Sequence, residues 1–472
     1  AVNEELGATQ IIGTQQVETD PDRTVDGVFG LWYGKGPGVD RAGDALKHGN
    51  AYGSSPHGGV LVVAGDDHGC VSSSMSHQSD VAFMSFFMPT INPANVAEFL
   101  TFAEWGYALS RFSGMWVGFK AISETVESGM SFELPEDRAF VLPEFEAPEG
   151  GLHYRWPDLP GPQIEARLEH KKAAVLAFAR ANPIDRTEWG YRNARFGIVT
   201  TGKSHLDVLE ALRLLGIDKA RAAEIGIDLY KVGMVWPLEH EGALAFAQGK
   251  QELLVVEEKR GIIESQLKEY FYDYPGRKPE RMVGKRDENG APLVPNEGEL
   301  APNVVARLVR GWLEQRLGDE ARQLRQLPEP TLVAPPTSLT RMPAFCSGCP
   351  HNTSTLVPEG SIAFGGIGCH GMATWVPGRR TYGATHMGGE GANWIGMSRF
   401  VQTEHVFQNL GDGTYFHSGL LAIRACVAAD VNITYKILYN DAVAMTGGQP
   451  MDGPLSVPQI THQLYGEGSF TP

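Results

Sequence analysis

The stretch FQNLGDGTYFHSG, residues 407–419, decides the fold of the part of the chain that carries most of the chemistry. The run EHVFQNL before it is strand-like, and FHSGLLAIRACVAA after it is an apolar helical run. Asp-Gly is also the favoured pair for a hairpin turn, but a helix follows here, so the unit reads strand, loop, helix. A helix N-terminus offers free N–H groups and a partial positive charge, which suits a phosphate. Asp412 would repel that phosphate unless a cation sits between them. Magnesium meets this need, because it takes hard oxygen ligands and favours one or two carboxylates together with phosphate oxygens. The next strand-like run, VNITYKILYN at 431–440, ends on Asn440 as a second ligand, and the irregular DAVAMTGGQP that follows allows the carbonyl of Ala442 to complete the set.

Working outward, 472 residues suggest about three domains, and 42% hydrophobic with 20% charged residues is ordinary globular composition. A net charge of -16 argues against nonspecific binding to nucleic acid or anionic membranes, which are themselves polyanions. No run reaches the roughly 18 apolar residues of a membrane span, and AVNEELGATQ is not a signal peptide. The reading is a soluble, cytoplasmic protein without nucleic-acid or membrane partners. Five cysteines, with Cys70 and Cys426 isolated, do not form a secreted disulfide framework.

Residues 1–140 alternate strand-like runs, such as GGVLVVAGDDHG and SGMWVGFKAIS, with helical patterns, predicting a parallel sheet covered by helices on both faces. A Pro/Glu/Gly-rich linker follows at 141–162. A second α/β unit runs through IEARLEHKKAAVLAFARAN, a helix with a basic centre, then RFGIVTTGKSHLDVLEALRLLGI and QELLVVEEKRG. Its TTGKS lacks the first glycine and spacer of a Walker loop. QLPEPTLVAPPTSLTRMP is a second linker, ending near 343. The domains predicted are therefore 1–140, 141–335 and 336–472, in a class of several doubly wound α/β domains.

In the third of these, FCSGCPHNTS holds Cys346 and Cys349 as C-x-x-C, and GGIGCHG adds Cys369. Two thiolates in one turn can share a metal. Structural zinc with His351 or His370 as fourth ligand, an iron–sulfur cluster with a fourth cysteine elsewhere, and no metal at all remain open from the spacing.

GDGTYFHSG with NDAVAMTGGQP resembles the diphosphate–magnesium motif of thiamine diphosphate enzymes, and more closely the 2-oxoacid:ferredoxin oxidoreductases. FCSGCPHNTS, with Pro350, is similar to the indolepyruvate, or arylpyruvate, branch of that family. The resemblance spans nearly all 472 residues and implies a thiamine diphosphate-binding fold. It implies a pyrimidine-binding domain at 1–140, a transketolase C-terminal-like domain at 141–335 and a diphosphate-binding domain at 336–472. Asp412, Asn440 and Ala442 would hold Mg2+, and Gly411, Gly413 and Thr414 would cradle the diphosphate. His351, His386 and Glu390 would be further cofactor contacts, and Cys346, Cys349 and Cys369 would hold a [4Fe-4S] cluster. In VNEELGATQIIG, Glu4 would activate the aminopyrimidine ring, and the loops around Lys35, Asp40, Asp67 and Ser73 would lie near the pocket.

The activity implied is oxidative decarboxylation of an aryl 2-oxoacid to acyl-CoA and CO2, with coenzyme A as cosubstrate and electrons passed through iron–sulfur centres to ferredoxin. The family's sites lie between domains, which implies a homodimer or higher oligomer. Only three residues precede Glu4, and the end lacks part of the family's diphosphate domain, so the resemblance implies a piece of a longer polypeptide with further domains or a subunit. Two other readings stand beside it: a non-oxidative thiamine-dependent decarboxylase or carboligase, and a zinc-stabilised inactive subunit.

Overall fold

The computed structural model describes residues 2–134, 139–327 and 343–469. They fall into two compact units, one running from Glu4 to Thr331 and the other combining Ala1–Asn3 with Leu332–Pro472.

The larger unit holds two five-stranded sheets. The first contains β1 Phe29–Lys35, β2 Gly59–Asp66, β3 Thr90–Ile91 and β4 Val117–Ile122. The second contains β5 Arg186–Trp189, β6 Phe196–Thr201, β7 Ile227–Val232, β9 Glu252–Val256 and β10 Arg281–Val283, in the order β10-β9-β6-β7-β5. Apolar runs such as VLVVA in β2 and IDLYKV in β7 are buried along their whole length or nearly so, as strands covered on both faces must be.

A short strand, β8 Met234–Trp236, follows β7 after Gly233 alone and completes the first sheet, in the order β1-β2-β4-β3-β8. It runs antiparallel to β3, and β5 runs antiparallel to β7. The purely parallel arrangement predicted from the sequence therefore holds for the inner strands and gives way at one edge of each sheet. In the first sheet the strand that completes the edge continues from β7 of the other sheet after one residue, and it meets β3 in the opposite sense. Because β8 belongs to the first sheet and β7 to the second, residues 4–134 and the stretch that follows the first linker share one compact unit.

A buried ion pair reinforces this join. Glu98, in the first turn of helix Val96–Ser113, accepts the Ala94 N–H at 2.7 Å and receives the ammonium of Lys231 from β7. Arg186 Nη1 adds a contact at 3.1 Å. The Lys231 side chain is fully buried. The Pro/Glu/Gly-rich linker packs onto the same unit, where Tyr154 and Arg155 donate their N–H groups to Ser54 O and Tyr52 O. Asp158, also in the linker, pairs with Arg167 at 2.8 Å. The basic centre of helix Gln163–Ala181 is thus turned inward, and Lys171 donates to Gly114 O at 3.2 Å.

The smaller unit is built on a four-stranded parallel sheet, β12-β11-β13-β14, with β11 Ala363–Gly365, β12 Thr381–Ala384, β13 Val406–Gly411 and β14 Ile433–Leu438. After β13 come a helical turn Asp412–Thr414, a π-helical turn Tyr415–Gly419 and helix Leu420–Ala428, the strand, loop and helix read from the sequence. Leu410, Tyr415, Ile423 and Ile460 form the core beneath this segment. Asn3 belongs to this unit and donates its side-chain amide to His417 O at 3.0 Å. The second Pro-rich linker lies mostly on 328–342, outside the described residues. Among the described residues no helix is long and apolar enough to cross a membrane.

Removing one partner of a buried ion pair leaves the other charge without compensation, at a cost of about 3–5 kcal/mol. The Glu98→Ala variant is expected to lose that much unfolding free energy in urea, whereas a Glu98→Gln/Lys231→Met double variant loses less; equal losses would show that the pair is not what joins the two sheets.

Burial, aided by Lys231, depresses the imidazole pKa of His205 from 6.5 to about 4. The unfolded chain then binds the proton first as pH falls, so the folded form loses stability progressively between about pH 6.5 and pH 4. Unfolding midpoints across that interval should fall less steeply for His205→Gln than for the wild type, and parallel curves would contradict the assignment.

Candidate functional site

Four parallel strands present their carboxyl ends on one edge of the sheet of the smaller unit, the edge where open α/β sheets place ligands. β13 and β14 are neighbours in register up to Gly411 opposite Leu438, so the residues leaving the two strands emerge side by side. Asp412 is buried there, 2% exposed. Its Oδ1 accepts the Gly413 N–H at 2.9 Å, and its Oδ2 accepts those of Asn440 at 2.8 Å and Asp441 at 2.7 Å. Asn440 Oδ1 in turn accepts the Ala442 N–H at 3.1 Å. A Cβ built on Gly413 would lie 4.0 Å from the Ala442 carbonyl oxygen, so that oxygen overhangs the loop. Asp412, Asn440 and Ala442 are therefore brought together, offering a carboxylate, an amide oxygen and a backbone carbonyl. This is an all-oxygen donor set, which suits a hard divalent cation such as Mg2+. A Cβ on Gly411 would touch the His370 ring at 3.4 Å and one on Gly413 would touch Val443 at 3.6 Å, and Thr414 Oγ1 donates to Ile367 O at 3.4 Å.

That last bond ties the loop to the segment following β11. There a Cβ on Gly366 would meet Asn409 O at 2.8 Å, His370 Nε2 at 2.8 Å and Glu390 Cγ at 3.0 Å, so the position tolerates only glycine without a shift. Glu390 is almost fully buried; its carboxylate accepts the Gly388 N–H at 2.6 Å and the Ile367 N–H at 3.3 Å. Burial raises its pKa against those two hydrogen bonds. His386 packs on Gly389, where a Cβ would lie 2.5 Å from its ring. His351 lies with its ring centroid 6.2 Å from that of His370. Burial lowers the pKa of His351, and burial with His351 nearby brings that of His370 down to about 4, so both rings are neutral at pH 7.

Cys346 and Cys349 lie on one turn, in which the Cys349 N–H reaches Cys346 O at 3.0 Å. Burial, together with the Cys349 and Cys346 thiols, pushes Cys369 up, which places the three cysteines in one neighbourhood. Among the described residues, however, no three or more His, Cys, Asp or Glu side chains are gathered closely enough to hold a metal ion, so as placed these thiols do not form a cluster cradle. Cys426 is core: its Sγ lies 3.3 Å from Tyr435 Oη and 3.4 Å from Gly391 O.

Glu4 opens helix Glu4–Gln16 in the larger unit. Its carbonyl accepts the Trp32 indole N–H at 3.0 Å, and its side chain runs against Gly38, where a Cβ would lie 2.8 Å from Glu4 Cγ. The two loops expected near it are ordered by their own polar groups. Lys35 donates to Ser72 O, His77 Nε2 stands 3.5 Å from Asp40, and Asp67 accepts the N–H groups of Val71 and Ser72. Burial works against ionisation of Asp67, but those hydrogen bonds prevail and lower its pKa.

Sequence reasoning passed over Asp441, whose N–H helps fix Asp412, and Tyr435, whose hydroxyl donates to Glu390 O at 2.8 Å. It also passed over Asn409, which is fully buried with both side-chain polar atoms unpaired. The signal for Asn409 was present: two consecutive amides in the otherwise apolar VFQNLG are unusual in a buried strand.

Two family models match the chain: Indolepyruvate oxidoreductase domain over residues 186–329, and Thiamine pyrophosphate enzyme, C-terminal TPP binding domain, over residues 366–467. The second covers β13, β14 and the loops that leave them. A protein from Pyrococcus abyssi named Indolepyruvate oxidoreductase subunit IorA is 24% identical over 441 residues, which is 85% of this chain and 62% of that protein. Its namesake from Thermococcus kodakarensis is 24% identical over 89% of this chain and 65% of that protein. This chain thus spans less than two thirds of the length of these curated relatives. Among solved structures, a 2-oxoglutarate:ferredoxin oxidoreductase from Magnetococcus marinus aligns with a TM-score of 0.43 at 16% identity, covering 66% of this chain and 56% of that one. Over 85% of its length, then, the chain is similar to proteins named Indolepyruvate oxidoreductase subunit IorA, with a match to the indolepyruvate oxidoreductase domain model at 186–329 followed by one to the C-terminal TPP binding domain model at 366–467.

Proposed function

We propose that this chain binds thiamine diphosphate through Mg2+ and catalyses the oxidative decarboxylation of an aryl 2-oxoacid, of the indolepyruvate or phenylpyruvate type, to an acyl-CoA and CO2. The observation that carries the reading is the convergence of Asp412, Asn440 and the Ala442 carbonyl at the ends of two adjacent parallel strands, beside a glycine loop that opens a helix. In this reading residues 1–140 bind the aminopyrimidine, 141–335 form a transketolase C-terminal-like domain and 336–472 bind the diphosphate. The relatives' designation as a subunit supports a partner subunit, and sites shared between domains favour a homodimer or larger assembly.

The chain's own groups divide the work. Asp412, held rigid by three backbone N–H donors, supplies the charge that grips the cation, while Asn440 and Ala442 supply neutral oxygens. Gly411, Gly413 and Thr414 keep the loop backbone close to the phosphates, whose charge the helix N-terminus favours. His351 and His386 stand beside the same edge as neutral or polar contacts, and Glu390 fixes the loops after β11 and β12 through its two accepted hydrogen bonds. Glu4 provides the carboxyl that would hold the aminopyrimidine ring in its active tautomer. When bound, thiamine diphosphate supplies the electron sink that lets the substrate carboxylate leave as CO2. In this reading coenzyme A would take the acyl group and ferredoxin the two electrons, with iron–sulfur centres, when bound, supplying the electron transfer. Those centres would need donors beyond Cys346, Cys349 and Cys369 as they are arranged here. Iron and sulfide measured after anaerobic purification separate this route from non-oxidative decarboxylation, which needs neither.

Isothermal titration of thiamine diphosphate with Mg2+ into wild type, Asp412→Ala and Asp412→Asn tests the cofactor assignment. Loss of a charge-assisted contact of about 1.5–3 kcal/mol corresponds to roughly tenfold to a hundredfold weaker binding. Both variants should show it, and both should melt below wild type without ligand, because Ala leaves three N–H donors without an acceptor and Asn turns its amide NH2 toward at least one of them. Wild type that binds no thiamine diphosphate, or variants that bind it equally well, would contradict the proposal.

A further inference from the structure

His370 stands where the loop after β11 meets the loop after β13, and the reading above gives it no role. It is 2% exposed, yet its Nε2 has no hydrogen-bond partner, an exceptional state for a buried polar group. Three glycines enclose the ring. A Cβ on Gly366 would lie 2.8 Å from Nε2, one on Gly368 would lie 2.7 Å from Cε1, and one on Gly411 would lie 3.4 Å from Cε1 and 3.8 Å from Nδ1. The ring is thus wedged between Gly366 and the first residue of the Gly411–Gly413 loop, with its Nδ1–Cε1 edge against that loop. Asn409, whose backbone oxygen borders the same Gly366 position as Nε2, is buried with both its side-chain polar atoms unpaired as well. A buried polar ring with an unpaired nitrogen, packed this closely against a glycine loop, is arranged to meet a ligand.

We propose that His370 is a diphosphate-binding residue: its imidazole donates a hydrogen bond to a phosphate oxygen of the ligand that the Gly411–Gly413 loop cradles. The inference rests on the proposed thiamine diphosphate site and adds to it a contact from the β11 side of β13, whereas Asn440 lies on the β14 side. The ligand class is a magnesium-complexed diphosphate ester, and the contact is to the diphosphate alone, so the rest of the cofactor is irrelevant to it.

The test uses the full chain and three probes: thiamine diphosphate with Mg2+, inorganic pyrophosphate with Mg2+, and thiamine. Titration into wild type, His370→Ala and His370→Gln should show His370→Ala binding both diphosphates roughly tenfold or more weakly, the size of one hydrogen bond to a charged group. His370→Gln, which keeps a side-chain donor, should recover part of that loss, and any weak binding of thiamine should be the same in all three proteins. A purely structural role would instead weaken all ligands in step with a lowered melting temperature, with no recovery by glutamine, and that result overturns the inference. So does undiminished diphosphate binding by His370→Ala. Wild type that binds neither diphosphate overturns the cofactor assignment together with this one, whereas wild type that binds both alongside an unaffected His370→Ala overturns this one alone. If His370→Ala does not fold, 15N NMR of the histidine rings decides: magnesium pyrophosphate should shift the His370 ring signal of wild type, identified by its loss in His370→Gln, and an unmoved signal refutes the contact.

Discussion

The candidate site depends on one buried carboxylate. Asp412 accepts N–H groups from Gly413 in its own loop and from Asn440 and Asp441 at the end of the neighbouring strand. A parallel sheet aligns strand ends only to within the register of the ladder, and the loops beyond are free to diverge; these three bonds bring them together. An ionised carboxylate is a stronger acceptor than a neutral group, so the same charge that would hold a cation also fixes the peptide units that supply its other ligands. The positive φ of Asp441, +59°, turns the chain sharply at this point and lets Asn440 and Ala442 face the loop. Structure and chemistry are therefore specified by the same residue.

The larger unit is organised by a different constraint. A single residue between β7 and β8 forces the chain from one sheet directly to the edge of the other, and the Glu98–Lys231 pair lies across that join. Elsewhere in this unit Lys120 pairs with Asp80 at 2.9 Å and Lys203 with Asp207 and Glu299, each at 2.9 Å. Lys203 belongs to the TTGKS segment that superficially suggests a phosphate loop; its ammonium is committed to carboxylates and to Leu300 O, which agrees with setting that reading aside.

Much of this was legible in the sequence because its signals are local. The apolar runs of β2, β4, β6 and β9 and the strand–loop–helix around Asp412 are set by periodicity and by Gly and Pro placement within about fifteen residues, the range over which such patterns operate. The pairing of Asp412 with Asn440 was legible as well, since one helix between two strands of a parallel sheet leaves little choice of geometry. What escaped was set by distant partners. Whether Lys171 and Arg167 face solvent depends on the distant Gly114 carbonyl and on Asp158 of the linker, and the antiparallel placement of β8 depends on a sheet edge more than 140 residues earlier in the chain. His370 looked like one of two histidines near a cysteine motif; only the packing of its ring against Gly411 and Gly366 distinguishes it. The cysteine motif was legible as a local turn, and its spacing left zinc, an iron–sulfur cluster and no metal open; the fold adds that the three thiols share one neighbourhood.

The central claim is that Asp412, Asn440 and Ala442 hold the cation of a bound diphosphate. The most direct measurement is a crystal structure grown with thiamine diphosphate and Mn2+ in place of Mg2+, with data collected at the manganese absorption edge. The account predicts one anomalous peak within about 2.0–2.3 Å of Asp412 Oδ, Asn440 Oδ1 and the Ala442 carbonyl oxygen, with diphosphate density over Gly411–Thr414. Manganese elsewhere, or thiamine diphosphate bound away from this loop, would contradict it.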